Sequence, residues 1–277
     1  MALLIRDLGE TPYLDTLDRM RRFTAERVSR RQALRPDRLR PDQRPAAVGR
    51  PAPTGASTPA DISRPADPGD ELWLTSHPPV FTLGLDGNTR HLRDAGGIPV
   101  VPTERGGQVT YHGPGQVLAY LLIDLRKRRL GVRDLVGRIE TGVVDCLSGY
   151  GIDAVRQRGA PGLYVRQRHL PGGTVPDDPG TDGPGTGAPG RVDPAAGPAA
   201  DVAKIASIGL KIAGGFSYHG VALNGRMDLA PFARIDPCGY RGLCVTDVQT
   251  EASTDIPLDL SALSFRLANA LAHALER

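Results

Sequence analysis

The chain has 277 residues, enough for a sizeable core, and a net charge of +3 carried almost wholly by arginine, since lysine occurs only at Lys127, Lys204 and Lys211. It has no apolar run of 18 residues and no arginine cluster interleaved with aromatics, so neither a membrane nor a nucleic-acid partner is expected. Its three cysteines, Cys146, Cys238 and Cys244, cannot all pair and show no CxxC spacing, which points to a reducing, cytoplasmic setting.

In chain order, the opening MALLIRDLGE lacks a basic n-region and is not read as a signal peptide; residues 2–8 read as a strand. Thr11 as cap and Pro12 at the first helical position predict a helix to about Arg31, with Tyr13, Leu17, Met20 and Val28 on one face. Residues 34–69 lose all periodicity and are expected to form a flexible insertion. Short strands at 71–75 and 80–83 flank His77-Pro78-Pro79, and 117–125, apolar at nearly every position, reads as an interior strand. The spacing of Val132, Leu135, Ile139, Val143 and Cys146 predicts a helix and makes Cys146 an inert core thiol.

A strand is expected at 160–168. Fifteen of the residues in 171–200 are Gly or Pro, the mark of a second flexible insertion within one domain. Strands at 203–212 and 215–224, joined through Ala213-Gly214, precede a final helix from about Leu258 to Leu275 that buries Leu260, Leu263, Leu267 and Leu271. The reading is a single α/β domain over 1–277, a sheet with antiparallel pairs and helices able to cover one side of it.

The chemistry-bearing residues lie in loops and turns. Residues 105–116, RGGQVTYHGPGQ, hold four glycines beside a strand, with a tyrosine and a histidine between them, as in a ligand-lining loop. Cys238, in ARIDPCGYRG, stands on a turn and is the accessible thiol; Cys244, among apolar neighbours, reads as a packed strand position. A cysteine nucleophile needs a group that lowers its pKa or takes its proton, and His112, His219 and Lys204 are the candidates. A lysine opening an apolar strand is also what a snorkelling surface residue looks like, so spacing leaves both roles open for Lys204. Metal, dinucleotide and Walker motifs are absent, and neither a metal nor a cofactor is expected.

Taken together and in order, RGGQVTYHGPGQVLAYLLIDL, KIASIG, FSYHGVALN and DPCG followed by VTDV resemble the lipoyl(octanoyl) transferase family, as do PY near the start of the first helix, ELWLTSHPPVFTLG and GAPGLYV. The resemblance implies a biotin/lipoate protein ligase-like catalytic fold, a mixed sheet with packed helices. It implies a monomer that moves octanoyl from octanoyl-acyl carrier protein to a lysine of lipoyl domains, those of 2-oxoacid dehydrogenase complexes and the glycine cleavage H protein. On the same basis Cys238 carries the acyl group as a thioester and Lys204 activates the chemistry. The acyl site implied is Arg105, Gly106, Gly107, Gln108, Val109, Thr110, Tyr111, His112 and Gly113 with Ser207, Ile208 and Gly209 and with Gly220, Val221 and Ala222, while His112 and His219 belong to two polar turns beside the acyl group. The departures are that Ala203 stands where the family often has a basic residue, that the tracts 34–69 and 171–200 are inserted, and that Cys244 is an extra thiol.

Overall fold

The computed structural model describes residues 3–34, 68–157, 159–166, 201–252 and 256–277; the expected insertions at 34–69 and 171–200 lie outside them, apart from Leu34, Pro68 and Gly69. Strands β1 (Leu3–Glu10), β2 (Asp70–Ser76), β6 (Gln116–Leu122), β7 (Ala154–Gln157), β8 (Ala160–Arg166), β9 (Val202–Ala213), β10 (Phe216–Asn224) and β11 (Cys244–Val245) form one mixed sheet. Its order is β1-β2-β6-β10-β9-β8-β7, with β11 added alongside β9; β1 on β2 and β11 on β9 are parallel and the other pairs antiparallel. A second sheet orders β4 (Val100–Pro102), β3 (Val80–Leu83) and β5 (Val109–His112).

Strand β6 lies between β2 and β10 and is buried on both faces, which is why its sequence is apolar without alternation. Its Val117, Ala119 and Leu121 face helices α3 (Val132–Ser148) and α5 (Leu260–Glu276), while Leu118, Tyr120 and Leu122 face α1 (Tyr13–Ala33). Asp134 accepts the Gly131 N–H at 2.8 Å to close the start of α3, and Asp259 accepts from Ser261 and Ala262 at the start of α5. The short helices are α2 (Leu125–Arg128) and α4 (Val248–Glu251).

Three local expectations need correction. Pro12, not Thr11, occupies the cap position of α1, because the Thr11 hydroxyl is engaged with Thr16 and Thr75 at 2.6 and 2.8 Å. Val28 is only half-buried and the face instead buries Arg27; Leu260 of α5 is likewise half-buried. Asp70 accounts for Arg27, since its carboxylate accepts from Arg27 at 3.1 Å and from Arg128 at 2.6 Å, and it also receives the Asp124 backbone N–H. Asp70→Asn keeps the shape but removes the carboxylate charge shared by two buried guanidinium groups, and is expected to cost about 3–5 kcal/mol of unfolding free energy in urea titration. A loss below about 1 kcal/mol would show that water screens this cluster.

Two irregularities in the large sheet aim its side chains. Between β8 and β9, Leu163 faces Ala206 but Tyr164 faces Lys204, so Ile205 is an extra residue, a β-bulge. Ile205 and Ala206 consequently both join the core under α3 and α5, and Lys204 points to the opposite face. In β10, His219 has φ 61, and this left-handed residue stacks its ring on that of its neighbour Tyr218, centroids 5.1 Å apart.

Candidate active site

A pocket with about 520 Å³ of empty space, its open mouth included, lies on the α1 side of the large sheet. Its floor is β9 and β10, through Ser207, Ile208, Gly209, His219, Gly220, Val221 and Ala222; its other wall is Arg105 and Gly107 to Thr110 with His112; Cys238 stands at the rim. The glycines make the floor. A Cβ on Gly209 would stand 3.0 Å from Arg105 Cδ, and one on Gly220 would strike the Ala119 carbonyl.

Of the residues expected in the acyl site, Gly106, Tyr111 and Gly113 do not line the pocket. Tyr111 alternates away from Thr110 and His112 on β5, and its ring sits 5.5 Å from those of Phe81 and Phe232. Tyr13, Leu118 and Tyr120 line it although the sequence assigned them no such role. Tyr13 and the two β6 residues read as core, and only the packing of α1 over the sheet reveals that their edges also face a cavity.

His112 and His219 lie in strands β5 and β10 and not in turns; both are buried. Burial pushes each of them down to about 3, and His77 behind the pocket to about 4, so all three rings are neutral near pH 7. His112 bonds Gln116 at 2.8 Å through Nδ1, His77 bonds the Tyr120 hydroxyl at 2.7 Å, and His219 lies 3.4 Å from the Thr103 hydroxyl. They are polar walls, already partnered and too weakly basic to hold a proton here. Arg105 is the cation of this wall: it is buried, held by the Thr82 carbonyl and hydroxyl at 2.8 Å each, and close enough to Cys238 to feel a thiolate's charge.

Cys238 occupies a short turn and has φ 57, a conformation that a non-glycine residue keeps only where its surroundings impose it. The turn is tied at several points. The Asp236 carboxylate pairs with Arg93 and with His91, the Asp236 N–H donates to the His91 carbonyl at 2.8 Å, and the amides of Gly239 and Tyr240 donate back to Asp236 and Pro237. After the turn, β11 runs beside β9 with Val245 opposite Lys204, and the Thr246 N–H donates to the Lys204 carbonyl at 3.0 Å. The segment carrying the thiol is thereby fastened to the strand carrying the lysine.

Lys204 is 2 % exposed, which rules out the snorkelling role. Its Nζ donates to the Pro161 carbonyl and to the Tyr164 hydroxyl, each at 2.8 Å, and it lies close enough to Cys238 to feel a charge on the sulfur. Burial lowers the lysine pKa below its ordinary value, while a negative sulfur at Cys238 pulls it back up. The other thiols differ. Burial pushes Cys146 up to about 12, leaving it protonated in the core as expected, whereas Cys244 lies on β11 but is exposed and not packed. Among the described residues, no cluster of His, Cys, Asp or Glu is arranged to hold a metal and no helix is long and apolar enough to cross a membrane.

Residues 62–265 match the family model for the lipoyl protein ligase A/B catalytic domain. The chain is 40 % identical over 275 residues to an octanoyltransferase of Pseudomonas entomophila, covering 99 % of this chain and 93 % of the relative. It is 53 % identical over 249 residues to an octanoyltransferase of Paraburkholderia phytofirmans, covering 90 % and 77 %. Among solved structures, a bipartite lipoate protein ligase of Thermoplasma acidophilum superimposes with a TM-score of 0.55 at 14 % identity, over 100 % of this chain and 84 % of that one. A lipoate-protein ligase A bound with ATP gives 0.51 at 14 % identity, over 99 % and 85 %; these two likenesses show the mixed α/β fold. By sequence over nearly its whole length, the chain belongs to the octanoyltransferase family, built on the lipoyl protein ligase A/B catalytic domain.

Proposed function

We propose that the chain acts as a single catalytic domain that carries octanoyl from the phosphopantetheine thiol of acyl carrier protein, through a thioester on Cys238, to a lysine of a lipoyl domain. The observation that carries this reading is the buried Lys204 close beside a half-buried Cys238 that lines the pocket, the two segments fastened together by the β11–β9 pairing. A lysine ammonium beside a thiol favours the thiolate, the form that attacks a thioester. In the first step the sulfur bonds to the acyl carbon, the carrier's C–S bond breaks, and the Lys204 ammonium protonates the departing thiolate.

Acylation removes the negative sulfur that had held the lysine's proton. Burial is then the dominant influence on Lys204, and the neutral amine it favours is the base that the second step needs. The acceptor's amine attacks the acyl carbon, Lys204 takes its proton, the Cys238 C–S bond breaks, and the thiolate–ammonium pair is restored. An amide replaces a thioester and no nucleotide is consumed. The two amides after Cys238 are bound within its turn, and Arg105 is a fixed positive charge on the pocket wall that can face the tetrahedral oxyanion.

Donor and acceptor are assigned through the family, and the three unpaired thiols accord with a cytoplasmic setting. The test is transfer without ATP: octanoyl-carrier and a lipoyl domain, mixed with the protein alone, are expected to give an acceptor heavier by one octanoyl group. Transfer only from free octanoate, and only with ATP, would replace this reading with an adenylating ligase.

A further inference from the structure

Two fixed acceptors hold Lys204 beside Cys238. The Tyr164 hydroxyl donates its proton to the Ala160 carbonyl at 3.2 Å, so towards Lys204 its oxygen is an acceptor, 2.8 Å from Nζ. The Pro161 carbonyl, also 2.8 Å from Nζ, can only accept. A protonated lysine facing these two oxygens has its third N–H left for Cys238. A neutral amine has only two N–H bonds, and with both oxygens occupied its lone pair takes the remaining tetrahedral direction, towards the Cys238 sulfur and the acyl carbon bonded to it.

We propose that Tyr164 is a positioning residue that, together with the Pro161 carbonyl, aims the Lys204 proton-exchange site at Cys238. The inference rests on the Cys238–Lys204 reading above. The backbone is arranged for it. The β8–β9 bulge places Tyr164 directly opposite Lys204, and Tyr164 is fully buried, so water does not compete for its hydroxyl. Gly162 leaves the space: at φ +129, a Cβ there would stand 2.5 Å from Lys204 Nζ and would also strike the Ala206 carbonyl.

Tyr164→Phe removes one acceptor and leaves the ring. Single-turnover rates of acylation by octanoyl-carrier and of discharge to a lipoyl domain, each across pH, form the test, with thermal unfolding as the check on the fold. Discharge is expected to slow about tenfold or more, because it alone uses the aimed lone pair, and acylation to slow less. Losing an acceptor disfavours the ammonium, so the rise of discharge with pH is expected at lower pH than in the parent. Discharge with the parent's rate and pH profile overturns the proposal. So does equal slowing of both steps with an unmoved profile, the behaviour of a residue that only fills space. Should the phenylalanine variant unfold, difluorotyrosine inserted at 164 keeps ring and hydroxyl with a weaker acceptor oxygen; a shift to lower pH supports the proposal and an unmoved profile overturns it. If the parent protein forms no octanoyl adduct on Cys238, the nucleophile assignment fails first and this one with it; a normal adduct with undisturbed discharge in the variant removes Tyr164 alone.

Discussion

Replacing Cys238 with serine is expected to abolish the octanoyl adduct that survives acid and yields to hydroxylamine, and to reduce overall transfer by on the order of a thousandfold or more. A serine hydroxyl has the reach of the thiol but ionises far less readily, and a neighbouring ammonium does not close that gap at neutral pH. Cys146→Ala and Cys244→Ser are the controls. Cys146 is sealed in the core with its proton held, and Cys244, though exposed, lacks the buried lysine that lies close to Cys238. Mass spectrometry of the trapped protein locates the acyl group. An adduct that persists on the Cys238→Ser protein, or that maps to either of the other cysteines in the parent, would sink the thioester assignment.

The second large effect is expected from Lys204→Arg. Arginine preserves the charge that attracts a thiolate, but its pKa above 12 prevents it from accepting the acceptor amine's proton. Its planar fork also fits poorly over Gly162, where the present Nζ already meets two oxygens at 2.8 Å. Transfer is therefore expected to fall about a hundredfold or more, with the defect concentrated in discharge of the acyl-enzyme. Pre-steady-state traces separate the two steps: a rapid burst of acylation followed by stalled discharge is the expected pattern. Parent-like rates for both steps would leave Lys204 without a proton-transfer role. A pH profile adds a sign. Discharge needs neutral Lys204, and burial lowers its pKa, so in the parent the discharge rate is expected to rise with pH and level off below the ordinary lysine range.

Much of this molecule is legible in its sequence. The apolar run of β6, the stripes of α3 and α5 and the strand pair β9–β10 follow from side-chain period alone, because an element that buries a face must repeat apolar residues at its own pitch. The glycine loop and the DPCG turn announced backbone conformations that few residues adopt, and the sequence determined that Cys146 was the inert thiol, but not that Cys244 would be more exposed than Cys238.

Period could not say which way Lys204 points. Strict alternation puts it on the face of Ala206 and Ile208, towards the helices; the bulge at Ile205 reverses that, and a bulge depends on the partner strand's register, which no local pattern encodes. Nor could it place His219, whose left-handed backbone carries it onto the pocket face, or Tyr13 and Tyr120, whose edges meet a cavity only when α1 lies across the sheet. The pairing of β11 with β9 decided the rest. Cys238 and Lys204 are far apart along the chain, and the ladder bonds that bring them together form only in the assembled sheet, so the sequence determined which groups carry the chemistry while the tertiary structure decided that they meet.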